Sequence, residues 1–234
     1  MIEVKALKKV YGGVKALDGI DLSVGTGEIF GILGSNGAGK STLLKVLGCI
    51  IPPTSGEARL CGESVLKEPV KVKSIAAYLP EIPTFPDKLT GREVLRMVAS
   101  LRGIGDEVAE RSCKEIARRL DLQELDSLVE TYSKGMKQKL SIIIAFFHGP
   151  KVMLLDEPTS GLDPKYSRVI KQMISESKAT VLVSTHSAFL AEDVCSRVAI
   201  LHKGRIIASD RTRKLIESSG GKDLEEAFVT IVGR

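Results

Sequence analysis

The chain alternates between short, unbroken apolar runs and longer stretches in which apolar residues recur every three or four positions. Glu28-Ile29-Phe30-Gly31-Ile32-Leu33 is the clearest run. Its length, and the Gly that follows it, predict a buried strand. Ile75–Leu79, Val152–Leu155, Thr180–Ser184 and Val198–Leu201 read the same way. A helix is predicted over Gly39–Gly48, with Leu43, Leu44 and Leu47 on one face. Asp163-Pro164 predicts another helix start, with Asp as cap and Pro at the first helical position. Residues 88–148 differ, with two or three helical patterns and no strand signal. Ile2–Leu7, Ile20–Val24 and Glu57–Leu60 predict short antiparallel strands. Pro80–Pro86 holds Pro80, Pro83 and Pro86, which predicts an irregular, stiff connector. Strands alternating with helices predict an α/β fold with a mostly parallel sheet, an N-terminal antiparallel β layer and a helical insertion. The whole of 1–234 reads as one domain, a core of 1–87 and 149–234 with a helical subdomain at about 88–148. No internal repeat or low-complexity linker is visible.

Composition narrows the picture. A chain of 234 residues with 43% hydrophobic content can bury a full core, so intrinsic disorder is not expected. The longest apolar stretch, Leu140–Phe147, contains Ser141 and is far short of the roughly 18 residues that span a bilayer. Met1-Ile2-Glu3-Val4-Lys5 does not start a secretory signal. The net charge of +5 is spread over mixed charges, and no run reaches five cations. Nucleic acid is therefore not an expected partner. Cys49, Cys61, Cys113 and Cys195 form no C-x-x-C pair and have apolar neighbours, which predicts reduced core thiols in a cytosolic chain. His148, His186 and His202 lack metal-ligand spacing. The segment after about Leu215 is too short for a large regulatory domain.

Gly34-Ser35-Asn36-Gly37-Ala38-Gly39-Lys40-Ser41 changes the question from fold to chemistry. It matches the P-loop pattern and lies between a predicted strand and a predicted helix, the context the pattern requires. Glycines let successive N–H groups turn toward phosphate oxygens, and the helix N-terminus adds partial positive charge. Lys40 would bridge the β- and γ-phosphates, and the Ser41 hydroxyl would ligate Mg²⁺. Asp156-Glu157 ends the apolar run Val152–Leu155. Alone, such a pair reads as a solvated strand end. Beside a P-loop, Asp156 reads as a metal ligand and Glu157 as the group that orients or deprotonates an attacking water.

Further segments carry a resemblance. Tyr132-Ser133-Lys134-Gly135-Met136-Lys137-Gln138, Ser160-Gly161-Leu162-Asp163, Ser184-Thr185-His186, Tyr11, and Glu81 after Tyr78-Leu79-Pro80 stand at telling distances from the P-loop and Asp156. Along essentially its whole length the chain resembles the nucleotide-binding subunit of an ATP-binding cassette (ABC) transporter. The resemblance implies a P-loop NTPase core of RecA-like type. It implies that Gly34 to Thr42, Thr42 included, and Tyr11 bind ATP, with Tyr11 stacking on adenine. It implies Mg²⁺ held by Ser41, Glu81 and Asp156. Glu157 and His186 would be catalytic, and Ser133 and Gly135 would meet the γ-phosphate bound by a second nucleotide-binding subunit. Without the resemblance, Ser133 and Asp163 are plain helix caps, His186 an ordinary core histidine, and Tyr11 the start of a Gly-Gly turn. Two departures stand out: Glu81 where the family most often has Gln, and Lys134 and Met136 in the signature for Gly and Gln. Tyr-Leu-Pro-Glu with Tyr-Ser-Lys-Gly-Met resembles ABC-2-type exporters in particular. The implied partners are a second such subunit, identical or not, and a membrane-spanning permease, with the chain cytoplasmic on the inner membrane face. A soluble ABC ATPase of repair, translation or cluster assembly is the rival, but no coiled-coil insertion, tandem cassette or basic tract is present. No N-K-x-D motif follows the P-loop, which disfavours a GTPase.

Overall fold

A computed structural model describes residues 1–233. The N-terminal strands β1 (Ile2–Tyr11) and β2 (Val14–Val24) pair antiparallel. Gly12 and Gly13, at φ +50° and +88°, make the two-residue turn between them. Both strands run longer than the alternation predicts. Lys8, Lys9 and Lys15 interrupt the apolar pattern, and register shifts near Ala6 and Lys9 carry the pairing past them. With β4 (Ser55–Leu60) and β5 (Glu63–Ser64) these strands form a sheet in the order β2-β1-β4-β5.

The second sheet is the scaffold of the molecule. Its strands are β3 (Ile29–Leu33), β6 (Ala76–Leu79), β7 (Val152–Asp156), β8 (Thr180–Thr185), β9 (Arg197–His202) and β10 (Arg205–Arg211), ordered β10-β9-β3-β8-β7-β6. All pairs are parallel except β9 with β10, so the expected parallel core is present. Strand alternation divides its side chains between two cores. Phe30, Ile32, Leu154, Leu182 and Leu201 face α1 (Lys40–Leu47) and the N-terminal sheet. Met153, Leu155, Val181, Val183 and Val198 face the other way, into a core shared with the remaining helices. Burial on both faces explains why these strands read as continuous apolar runs.

Three helices lie within 88–148: α3 (Gly91–Leu101), α4 (Asp106–Arg119) and α5 (Lys134–Phe146). A capping box of Thr90 and Glu93 starts α3. Pro80–Pro86 contains no helix or strand, as its prolines predict. Beyond β7, α6 (Pro164–Glu176) begins at the Asp163 cap and α7 (Ala188–Val194) at Ser187. The pattern did not reveal β10, α7, α2 (Pro69–Ile75), α8 (Thr212–Ser219) or α9 (Leu224–Val232). The short α2 buries only Val72, too little to mark an apolar face, and it takes Ile75 from the expected strand. All four cysteines are free. Cys113 and Cys195 are buried, but Cys61 is exposed. The core-thiol expectation fails there because Leu60 is the last inward residue of β4 and Cys61 turns the chain at φ +51°.

Candidate functional site

Three adjacent parallel strands bring the candidate residues to one edge. Leu33 of β3 stands beside Thr185 of β8, and Ser184 beside Asp156 of β7. Residues just past these strand ends therefore converge, at the position where open α/β sheets hold their ligands. The P-loop leaves β3 with the Gly34 N–H bonded to the Thr185 carbonyl at 3.3 Å. At two positions the loop accepts only glycine. A Cβ on Gly34 would lie 2.4 Å from the Leu201 carbonyl oxygen, and one on Gly39 would lie 2.4 Å from that of Ala16. Gly39 also sits at φ +111°. Helix α1 then starts with no side-chain cap and no acidic residue in its first turn. Its free N–H groups and dipole point into a hollow of about 250 Å³, lined by Asn36, Gly37, Gly39, Lys40, Ser41 and Thr42 together with Ala16, Glu81 and Glu157. Ser35 is exposed beside it and Ala38 faces inward, its carbonyl held by the Gly204 N–H.

Lys40 is 6% exposed and Nζ donates to the loop's own carbonyls, Gly34 at 2.8 Å and Ser35 at 3.1 Å. It also lies 3.9 Å from Glu157 Oε1. Burial pulls its pKa below the ordinary lysine value, and the charges of Glu157, Asp156 and Glu81 oppose that pull. Asp156 is buried and accepts a hydrogen bond from the Ser184 hydroxyl. Glu157 is 5% exposed and unusually constrained. Its φ is +47°, and its N–H bonds to the Ser184 carbonyl at 2.9 Å. Its Oε2 accepts from the Thr185 hydroxyl at 3.0 Å, and its Oε1 accepts from the His186 N–H at 2.7 Å. The His186 Nδ1 lies 2.8 Å from the same oxygen, with the ring itself open to solvent. A left-handed glutamate held by so many partners is a preorganised carboxylate. Motif spacing did not single out Ser184 or Thr185 as holders of these acids. The available signal was two hydroxyls ending the buried run Thr180–Val183.

The donor set fits Mg²⁺. The described residues hold no cluster of three or more His, Cys, Asp or Glu side chains. Ser41 and Asp156 supply one hydroxyl and one carboxylate, and Mg²⁺ characteristically takes one or two protein ligands plus phosphate oxygens and water.

The profile of the family described as ABC transporter matches residues 17–160, well over half the chain. The stretch spans the P-loop, Tyr132–Gln138 and Asp156-Glu157. This chain belongs to the ABC transporter family. It is 36% identical over 227 residues to the daunorubicin/doxorubicin resistance ATP-binding protein DrrA of Streptomyces peucetius, covering 95% of this chain and 69% of that protein. A solved ATP-binding subunit of an ABC transporter superposes with a TM-score of 0.92 at 33% identity, covering 99% of each chain. A dimeric bacterial ABC transporter cassette superposes with a TM-score of 0.83 at 25% identity, covering 90% of this chain and 98% of that one. The chain is thus an ABC ATPase subunit with the P-loop NTPase fold.

Within one protomer of this ABC subunit, not all the expected residues meet. Ser133 and Gly135 lie at the exposed start of α5 and do not line the hollow. Ser133 caps the helix, accepting from the Met136 N–H at 3.2 Å. A Cβ on Gly135 would meet nothing closer than the Gly161 carbonyl at 3.8 Å, so the fold of the protomer does not require glycine there. Lys134, in place of the family's Gly, extends along Gly161. Tyr11 is 46% exposed at the end of β1, with Lys9 Nζ 5.0 Å from its ring centroid, and it too lies outside the hollow. Glu81 does line the hollow, at its exposed rim.

Proposed function

We propose that this chain is the motor subunit of an exporter, in which two nucleotide-binding subunits close head to tail over two ATP molecules. The observation that carries the reading is the separation of two halves of one site. The P-loop hollow is built within one protomer, while Ser133 and Gly135 stand apart from it at an open helix start, where Ser133 only caps α5 and the fold does not need glycine at Gly135. Both are N-termini of helices without an acidic residue in the first turn, a pair suited to grip the same triphosphate from opposite sides. ATP phosphates replace the Gly34 and Ser35 carbonyls as partners of Lys40, and the P-loop N–H groups take the remaining oxygens. Tyr11 stacks on the base. Ser41, Asp156 and Glu81 are the residues that would hold Mg²⁺, which would supply neutralisation of phosphate charge. Glu157 accepts the proton of the attacking water, and His186 orients that water and the γ-phosphate. Loss of the γ-phosphate removes the bridge between subunits and the pair opens.

A second feature supports a membrane partner. A groove of about 680 Å³ opens between α2, β6 and the end of α3. Ile50, Val70 and Leu101 are exposed along it. Lys73 and Arg102 give it positive charge, no carboxylate lines it, and burial pushes His148 down to about 4, leaving that imidazole neutral. We assign the groove to a cytoplasmic segment of a separate permease, apolar with an acidic residue. No helix among the described residues is long and apolar enough to cross a membrane. The subunit then sits on the cytoplasmic face, and the drug-resistance name of its relative favours export. The rival, a soluble ABC ATPase, leaves this apolar groove without a use.

The test is Glu157→Gln. The variant is expected to bind ATP, to hydrolyse it roughly 10²–10⁴-fold more slowly, and to elute as a dimer with ATP and as a monomer without. Full turnover by the variant would remove Glu157 from the base role.

A further inference from the structure

Away from the hollow, three elements converge on one aromatic ring. Tyr166 lies in the first turn of α6, where its N–H donates to the capping carboxylate of Asp163 at 3.2 Å. Its hydroxyl donates to Asp121 Oδ2 at 2.9 Å. Lys139, on the second turn of α5, places Nζ 3.4 Å from the ring centroid and donates to the Asp121 backbone carbonyl at 3.3 Å. Asp121 ends α4 in a left-handed turn, φ +51°. Lys139 is only 9% exposed, and among the described residues no carboxylate lies within ion-pair distance of it. A lysine buried in this way is costly unless something replaces its water, and here the ring face and one carbonyl do so. Burial pulls its pKa below the ordinary value, against the charges of Asp121 and Asp163.

The location gives this cluster its meaning. Lys139 is on the helix that begins at Ser133, and Tyr166 is on the helix that begins at Asp163. Neither cap lines the P-loop hollow of its own protomer. A helix moves nearly as a rigid rod over two turns, so whatever fixes Lys139 against Tyr166 also fixes Ser133 against Asp163. We propose that the Lys139–Tyr166–Asp121 joint sets the placement of the signature serine relative to the Asp163 loop, which makes Lys139 and Tyr166 positioning residues for the site shared between two protomers. The proposal rests on the head-to-tail reading above.

The test uses the Glu157→Gln chain as parent and reads two quantities, ATP affinity of the protomer and ATP-dependent association. Lys139→Met and Tyr166→Leu remove the cation and the ring. Each is expected to leave ATP affinity unchanged, since neither touches the P-loop, and to weaken association roughly tenfold. Combining them is expected to cost little more than either alone, because both break one joint. Lys139→Arg keeps a cation over the ring and is expected to restore association. Tyr166→Phe, which removes only the Asp121 bond, is expected to fall between. Unchanged association in Lys139→Met and Tyr166→Leu overturns the joint. So does an equal loss in Lys139→Arg, which would indicate a packing role only. A parent that stays monomeric with ATP overturns the head-to-tail reading and the joint with it.

Discussion

Two helix N-termini in this chain, those of α1 and α5, use the same backbone chemistry in opposite settings. The start of α1 is enclosed: a Cβ added at Gly34 or Gly39 would run into the backbone carbonyl of Leu201 or Ala16. The start of α5 is open, and Gly135 has ordinary space around it. The glycines of the first are explained by the fold of the protomer, whereas the glycine of the second is not. The difference teaches that a site can be half built. On the proposed head-to-tail reading, the requirement for Gly135 arises when the second subunit's nucleotide approaches it.

Substitution at the two glycines sharpens this contrast most. Gly39→Ala forces a Cβ into the Ala16 carbonyl at a φ that L-residues avoid, and is expected to destabilise the free protomer by about 2 kcal/mol or more. A thermal melt would read it, together with loss of ATP binding as the loop shifts. Gly135→Ala is expected to do the reverse to stability. Alanine gains helix propensity over glycine and has room, so the free protomer should become more stable by about 0.5–1 kcal/mol. The same variant is expected to lose ATP-dependent dimerisation. A Gly135→Ala chain that melts lower, or that still dimerises, would break the contrast.

The enclosed half was the more legible in sequence, for a physical reason. Strand β3, the P-loop and α1 are contiguous, and their apolar run, glycines and amphipathic face are local signals. The same holds for the Asp163 cap of α6 and the parallel strands, whose burial on both faces leaves an unbroken apolar trace. What resisted was either long-range or masked. Ser184 and Thr185 serve Asp156 and Glu157 through the pairing of β7 with β8, which no local spacing displays. The full length of β1 is hidden by Lys8 and Lys9, and α7 and α2 are too short to write a periodic face. Cys61 looked like a core residue because its neighbours are apolar, yet it occupies the turn itself. The signature was legible by resemblance, but its distance from the hollow required the fold.

The most direct measurement of the central claim, that each ATP is held by two protomers, is a mixing experiment with Lys40→Ala and Ser133→Ala. Neither variant alone is expected to hydrolyse ATP, since each homodimer lacks one half of both sites. A mixed dimer pairs the intact P-loop of one variant with the intact serine of the other, so mixing is expected to restore ATPase activity that neither parent has. Full activity in Ser133→Ala alone, or no recovery when dimers exchange subunits, would contradict the account.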